Sequence, residues 1–240
     1  MRVIVSKDYD EMSRKAADLV ISLMKDKSQL KFGLATGSTP IGLYKNLVEA
    51  SKEGEIGFQY ASTVNLDEYV GIDKDNEQSY QYFMNDNLFN HVGIDKNKTH
   101  LPYAPEADEK YAKEYDKLLD EFGPRDVQIL GIGPNGHLAF NEPDQKLNQR
   151  TSIIKLSDET IKANSRFFES EDDVPKYAVS MGMADAFNAK TIVVMASGKN
   201  KHEAVKRLLE EDTIYPEFPA SFLHLHPNVY LFVDEEAYNG

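Results

Sequence analysis

The chain has 240 residues, of which 41% are hydrophobic and 28% charged, enough to bury the core of one large α/β domain. Lys and Arg number 27 against 40 Asp and Glu, so the formal net charge is -13, and no basic stripe offsets it. This balance predicts no nucleic-acid partner. The chain has no Cys, which excludes disulfides, thiolate catalysis and zinc sites built on sulfur.

Apolar runs of strand-like composition alternate along the chain with amphipathic stretches of helical spacing. The predicted strands cover residues 2–6, 30–36, 63–66, 127–130, 152–156, 191–196 and 229–233. The predicted helices cover residues 8–25, 40–51, 79–89, 107–122, 158–168 and 201–210, with Thr39 as the N-cap of the second helix. This alternation predicts an α/β fold with a mainly parallel central sheet, covered on both faces. We find no repeat or linker, and predict one domain over residues 1–240.

The N-terminus enters a strand-like run directly, without the architecture of a signal peptide. No apolar run reaches the roughly 18 residues that a membrane-spanning helix requires. We therefore expect a cytoplasmic protein with no membrane partner.

A glycine-rich segment, residues 131–142, follows the predicted strand 127–130. It brings the amide of Asn135, the imidazole of His137 and the carboxylate of Glu142 into one loop. Open α/β sheets bind ligands in such loops, and a His with a Glu can transfer protons. The alternative is an ordinary turn whose His only satisfies a hydrogen bond.

The same segment matches the Gly-x-Gly-x-x-Gly pattern of dinucleotide-binding folds. That pattern requires a crossover helix at once, whereas here Pro143 and a polar run over residues 144–150 intervene. We therefore predict no dinucleotide cofactor. His224 and His226 alternate on a possible strand, but without a third clustered ligand they do not indicate a metal site.

The segment 36–40 joins a predicted strand to a predicted helix. Gly37 allows a ligand to approach the backbone, Ser38 and Thr39 offer hydroxyls, and a helix N-terminus favours phosphate. A plain N-cap with a tight turn is the alternative. Arg166 and Lys201 follow other predicted elements, and each is either a cationic partner for a phosphate or a solvated surface charge.

Two adjacent carboxylates, Asp67 and Glu68, follow the predicted strand 63–66. If the strand continues, they point in opposite directions, so that one can face a cleft. A carboxylate beside an apolar wall has a raised pKa and can act as a general base. The alternative is a carboxylate that caps a helix or a turn.

Taken together, these segments resemble the glucosamine-6-phosphate deaminase (isomerase) family. The resemblance covers residues 36–40, 65–71, 136–143, 164–168, 174–178, 198–201 and 223–227, in the order of the family. It implies a modified Rossmann-like three-layer sandwich. It also implies conversion of D-glucosamine 6-phosphate and water to D-fructose 6-phosphate and ammonia, without a cofactor or a metal.

The resemblance also implies residue roles. His137 would open the sugar ring, oriented and supported by Asn135 and Glu142, and Asp67 would shuttle a proton between C2 and C1. The substrate phosphate would be bound by a set that matches the family's phosphate site: Gly37, Ser38, Thr39, Arg166 and Lys201.

Two departures from the family pattern change what is expected. Well-studied relatives have Asp where this chain has Asn135, and an amide accepts the imidazole hydrogen bond without adding negative charge. Basic residues of the allosteric site in longer members are replaced by Ser152 and Ile154, and the chain stops at Gly240. We therefore expect no allosteric activation, and a monomer.

Two other classes of protein share features with the deaminase family and are alternative functions for this chain. 6-Phosphogluconolactonases have the fold, the phosphate loop and a Gly-His pair, but typically read Ala-Ser-Leu-Phe after that His, where this chain reads Leu-Ala-Phe-Asn-Glu142. Because lactone hydrolysis requires no ring-opening Glu, Glu142 favours the deaminase. Sugar-phosphate sensors of similar fold carry a helix-turn-helix ahead of the domain, which this acidic chain does not show.

Overall fold

The computed structural model describes residues 1–27, 29–165, 168 and 170–240. Its strands are β1 (Arg2–Ser6), β2 (Lys31–Leu34), β3 (Ser62–Asn65), β4 (Asp67–Tyr69), β5 (Thr99–His100), β6 (Arg125–Gly131), β7 (Ser152–Lys155), β8 (Tyr177–Ser180), β9 (Ala189–Ala196) and β10 (Val229–Asp234). Its α-helices are α1 (Tyr9–Asp26), α2 (Ile41–Lys52), α3 (Tyr80–Met84), α4 (Glu109–Phe122), α5 (Asp158–Asn164), α6 (Met183–Phe187), α7 (His202–Glu210) and α8 (Glu235–Asn239). A π-helical turn, Asn85–Phe89, continues α3. None of the described helices is long and apolar enough to cross a membrane.

Side-chain oxygens determine where several of these helices begin. Each accepts a backbone N–H of the first turn, which has no partner within the helix. The residues that cap helices in this way are Asp8, Ser79, Asp108, Ser157 and Asp234.

Seven strands form one sheet in the order β1-β10-β9-β6-β2-β3-β5, and all neighbours in it are parallel. Ile192, Val193 and Val194 are consecutive on β9 and all fully buried, so both faces of the sheet are covered. The predicted α/β architecture with a mainly parallel central sheet flanked by helices is confirmed. From β2 the chain runs outward through β3, whereas from β6 it runs the other way through β9. The crevice between β2 and β6 is therefore the switch point at which such sheets bind ligands.

A second, antiparallel sheet with the order β4-β8-β7 was not predicted. Leu66 connects the two sheets, because its N–H donates to Leu34 O at 3.2 Å and its carbonyl accepts from Met181 N at 2.8 Å. The predicted strand 63–66 thus covers β3 and this connecting residue. Asp67 follows immediately, as the first residue of the small sheet.

The predicted N-cap of α2 was wrong. Pro40, with φ -83° and ψ -2°, holds the cap position, and it makes no side-chain hydrogen bond there. The N–H of Gly42 instead donates to the hydroxyl of Tyr9 at 2.8 Å. The first turn of α2 is therefore satisfied by a side chain from α1, leaving the Thr39 side chain available at the surface of the cavity described below.

Three other local predictions also changed. The predicted helix 158–168 ends as α5 at Asn164, and Arg166 lies outside the described residues. His224 lies in a 3-10 turn, Pro219–Leu225, and its Nε2 contacts Leu208 O at 3.0 Å. His226 follows that turn, with Nε2 at 2.7 Å from Ala189 O. Both imidazoles therefore bond to backbone carbonyls, and the possible strand considered for them is not formed.

Candidate active site

A cavity of about 370 Å³ lies at the carboxyl ends of β2 and β6. Three loops reach it: residues 36–40 after β2, here the anion loop; residues 131–142 after β6, the imidazole loop; and residues 197–201 after β9, the lysine loop. Among the residues that line the cavity are seven of those predicted from the sequence: Gly37, Ser38, Thr39, Asp67, His137, Glu142 and Lys201. Asn135 contacts two of them, and the role of Arg166 stays a prediction.

The imidazole loop is closed by its own backbone. Gly133 N–H donates to His137 O at 2.9 Å, and Gly136 N–H donates to Gly133 O at 2.9 Å. The His137 ring lies against Gly133, where a Cβ atom would be only 2.2 Å from His137 Cε1. Glycine at position 133 is therefore required for the position of the imidazole.

Asn135 connects His137 to Glu142. Its Nδ2 donates to Glu142 Oε2 at 2.8 Å, so its Oδ1 is the acceptor. That oxygen accepts from the His137 backbone N–H at 3.1 Å and lies 2.8 Å from His137 Nδ1. Glu142 Oε2 is itself 3.3 Å from the same Nδ1. Both atoms that face Nδ1 are acceptors, so the neutral imidazole carries its proton on Nδ1 and keeps a lone pair on Nε2.

Glu142 is held as a carboxylate. Burial opposes its charge, but hydrogen bonds from His137, Asn135 and Thr160 outweigh this effect and keep the pKa of Glu142 below its ordinary value. The Thr160 hydroxyl donates to Oε1 at 3.0 Å. This carboxylate supplies the negative charge beside the imidazole that the neutral amide of Asn135 lacks. The group can therefore receive a proton at Nε2 and release it again.

Asp67 and Glu68 diverge as predicted. Asp67 borders the cavity, whereas Glu68 accepts backbone N–H groups of Tyr69, Tyr80 and Gln81, each at 2.9 Å. Glu68 therefore fixes the start of α3 against β4, and burial raises its pKa although these three donors oppose the shift.

The Asp67 carboxylate is buried without a compensating donor. Only 7% of the residue is exposed, and none of the described residues donates a hydrogen bond to it. Burial raises the pKa of Asp67 to about 8, and the charge of Glu68 contributes to the shift. Such a desolvated carboxylate is a stronger base than one in water.

The anion loop and the lysine loop border the same cavity. Gly37 turns the chain with φ 87°, and Ser38 and Thr39 follow it with hydroxyl groups. The lysine loop is anchored by Asp234, whose two carboxylate oxygens both accept the Gly198 N–H at 3.0 Å. Asp234 also bonds the Ser197 hydroxyl and caps α8. Lys201 is thereby placed on a fixed backbone.

The sequence reasoning missed an aromatic wall and one hydroxyl. The wall consists of Tyr69, Tyr80, Phe140 and Phe168, with centroid distances between 4.9 and 6.4 Å. Because these rings come from separate elements, no spacing in the sequence indicated them. Thr160 on α5 was missed for the same reason. Among the described residues, no group of three or more His, Cys, Asp or Glu side chains could hold a metal ion.

Comparison with known proteins shows the family to which the chain belongs. The family model described as glucosamine-6-phosphate isomerases/6-phosphogluconolactonase matches residues 7–231. The chain belongs to this family. The resemblance inferred from the sequence motifs is thereby confirmed.

Within this family, the two relatives compared next are both named glucosamine-6-phosphate deaminase. The chain is 48% identical to the glucosamine-6-phosphate deaminase of Halothermothrix orenii, over 99% of this chain and 98% of the relative. It is 46% identical to the protein of the same name from Thermoanaerobacter pseudethanolicus, over 99% and 94%. A solved structure of a monomeric glucosamine-6-phosphate deaminase has a TM-score of 0.95 at 41% identity, covering 99% of this chain and 98% of that one.

The lactonase branch of the family is more distant. The structure of 6-phosphogluconolactonase from Thermotoga maritima has a TM-score of 0.75 at 21% identity, over 98% of this chain and 99% of that one. This likeness shows the shared fold alone.

Proposed function

We propose that this chain is a glucosamine-6-phosphate deaminase, which converts D-glucosamine 6-phosphate and water to D-fructose 6-phosphate and ammonia. The observation that carries the proposal is the meeting of a carboxylate-supported imidazole, a desolvated aspartate and the anion loop in one cavity. The relatives of this name, at 46–48% identity over nearly the whole chain, support it.

His137 would open the pyranose ring. Its Nε2 takes the proton of the C1 hydroxyl and delivers it to the ring oxygen, which gives a C1 aldehyde and a C5 hydroxyl. A group that accepts and then donates one proton near neutral pH suits this step. The Glu142 charge stabilises the imidazolium between the two transfers, and Asn135 holds the ring through its Nδ1.

Asp67 would carry the isomerisation. The aldehyde acidifies the C2 proton, which the Asp67 carboxylate removes while the electron pair forms a C1–C2 double bond. The C1 oxygen takes up a proton that the C2 ammonium group releases and becomes the C1 hydroxyl. Asp67 then returns its proton to C1 while the nitrogen lone pair forms a double bond to C2, which gives the 2-iminium. Water adds to C2, ammonia leaves, and the C2 ketone of fructose 6-phosphate remains. The scheme consists of proton transfers and the addition of water with loss of ammonia, so it involves no hydride or electron transfer to a redox cofactor.

Ser38, Thr39 and Lys201 would bind the phosphate, with Gly37 allowing its approach and Arg166 as a further cation. A bound phosphate orients the sugar, so that C1 and C2 meet Asp67 on every encounter. The hydroxyls and backbone N–H groups of the anion loop supply hydrogen bonds, and Lys201 supplies a charge that outweighs the acidic surface locally.

Ammonia release tests the proposal directly. The purified protein is assayed with glucosamine 6-phosphate and, in parallel, for hydrolysis of 6-phosphogluconolactone. We expect ammonia and fructose 6-phosphate from the first substrate and no hydrolysis of the second above the spontaneous rate. Lactone hydrolysis without ammonia release would instead assign the chain to the lactonase branch.

We further propose that the enzyme is a cytoplasmic monomer without allosteric activation. A monomeric deaminase with a TM-score of 0.95 supports the monomer. Light scattering coupled to size exclusion should give a mass near 27.2 kDa. Saturation by substrate should be hyperbolic and unchanged by N-acetylglucosamine 6-phosphate, and fractionation of native cells should recover the activity with the cytoplasm.

A further inference from the structure

The hydroxyl of Tyr9 contacts the anion loop from α1. It accepts the Gly42 N–H at 2.8 Å. It also lies 3.0 Å from Ser38 O and 3.1 Å from Thr39 O, to which it offers its single hydrogen. One hydroxyl therefore joins the first turn of α2 to two consecutive carbonyls of the anion loop.

This contact depends on the close packing of α1 and α2. A Cβ atom at Gly42 would lie 2.4 Å from Ser13 Oγ and 3.1 Å from Tyr9 Cε1. Ser13 is fully buried, so it has little room to move. Only glycine at position 42 allows α2 to approach α1 closely enough for the hydroxyl of Tyr9 to reach its partners.

The direction of the two carbonyls has an electrostatic consequence. Carbonyl oxygens carry partial negative charge and repel an anion, so a phosphate site requires them to point elsewhere. In a trans peptide, the C=O of Ser38 and the N–H of Thr39 point in opposite directions. While Ser38 O is directed at Tyr9, the Thr39 N–H points away from Tyr9, and Thr39 lines the cavity.

We propose that Tyr9 is a positioning residue for phosphate: its hydroxyl turns the Ser38 and Thr39 carbonyls away from the bound anion and so presents the Thr39 N–H to it. This role rests on the proposed function, because it takes the anion loop as the phosphate site. Tyr9 lies outside the sequence motifs that indicated the site, and its role is visible only in the packing of α1 on α2.

The substitution Tyr9→Phe tests the role, since it removes the hydroxyl and leaves the ring. The probe is inorganic phosphate, whose inhibition constant is measured against glucosamine 6-phosphate. We expect this constant and the KM for substrate to rise together by about three- to tenfold, the usual effect of one hydrogen bond, with kcat unchanged. An effect confined to KM and phosphate binding follows from positioning the anion loop, whereas general loosening of the site would lower kcat.

Tyr44→Phe is the matched control. It removes another tyrosine hydroxyl that bonds a backbone carbonyl, Ala35 O at 2.6 Å, before the anion loop begins. Urea denaturation of both variants measures the stability each loses. We expect Tyr44→Phe to lose stability but to keep the phosphate inhibition constant of the wild type.

Three outcomes would overturn the proposal. If Tyr9→Phe keeps the wild-type inhibition constant, or if Tyr44→Phe raises it equally, Tyr9 has no specific role, and the proposed function stands. If phosphate does not inhibit the wild-type enzyme at all, the proposal for Tyr9 fails, whereas turnover of glucosamine 6-phosphate in the same assay leaves the proposed function standing.

Discussion

The ring of His137 occupies the space that a side chain at Gly133 would require: a Cβ atom there would lie 2.2 Å from Cε1 and 2.3 Å from Nδ1. Gly133→Ala should therefore displace the imidazole and lower kcat/KM for glucosamine 6-phosphate by about 100-fold, as expected for a misplacement near 1 Å. A wild-type kcat/KM in Gly133→Ala would show that the proposed acid-base role does not depend on this ring position.

Asp67→Asn should abolish turnover and stabilise the fold. Loss of the base should lower kcat by about 10²–10⁴-fold while substrate still binds. In the folded wild type the pKa of Asp67 is raised from 3.8 to about 8, so the stability of the protein falls as pH rises between these values. The gain of the variant in free energy of unfolding should grow with pH across that range, because the amide carries no charge to bury.

Steady-state assays and urea titrations at several pH values check both parts of this prediction. Wild-type turnover in Asp67→Asn would remove the assignment of the base. A stability difference that does not change with pH would show that the carboxylate is less desolvated than its burial indicates.

In the pH profile of kcat/KM, the loss of activity on the acidic side should occur at an unusually high pH. Asp67 must be ionised to remove the C2 proton, and its pKa in the free enzyme is about 8. Activity should thus fall tenfold per pH unit below about 8, instead of below the ordinary range of a carboxyl. Glu68→Gln removes the adjacent charge, so the pKa of Asp67 should fall and the acidic side of the profile of this variant should lie at lower pH. An acidic side of the Glu68→Gln profile at the wild-type position would mean that burial alone sets the pKa.

His137→Gln should affect ring opening more than isomerisation. Its kcat/KM on the pyranose substrate should fall by about 10²–10⁴-fold, the usual contribution of a general acid-base group. The loss should be smaller on an analogue locked in the open-chain form, because that compound bypasses the step. Equal losses on the two compounds would contradict the assignment of His137 to ring opening.

Lys201→Ala should weaken phosphate binding. We expect KM to rise, with kcat nearly unchanged, by an amount equivalent to about 1–3 kcal/mol for a charge-assisted contact. Asp234→Ala should act in the same direction, since it releases Ser197 and Gly198 from their shared partner. If the Lys201 substitution leaves KM unchanged, the lysine loop does not contribute to the phosphate site.

Much of the fold could be predicted from the sequence because the buried strands are local signals. Residues 127–130 and 191–196 are mostly apolar runs, and both lie in strands of the central sheet. The small sheet could not be predicted, since β4 has three residues, two of them charged, and pairs with Ser180 and its neighbours far along the chain.

The site divides in the same way. Asn135, His137 and Glu142 could be predicted to act together because one loop carries all three. The group that caps α2 could not be predicted, since the hydroxyl that accepts the Gly42 N–H belongs to Tyr9, 33 residues earlier. Thr160 reaches Glu142 from α5 only through tertiary packing, which no local pattern encodes.

Leu66 alone separates β3 of the central sheet from β4 of the small sheet. Asp67 lies on β4, whereas His137 lies on the loop that follows β6, so the two catalytic side chains are carried by different sheets. During refolding from denaturant, helices and the parallel strands can form before β4 pairs with β8 and fixes the Asp67 side chain. Recovery of ammonia release should therefore lag behind recovery of the far-ultraviolet circular dichroism signal, and the delay would time the docking of one sheet onto the other.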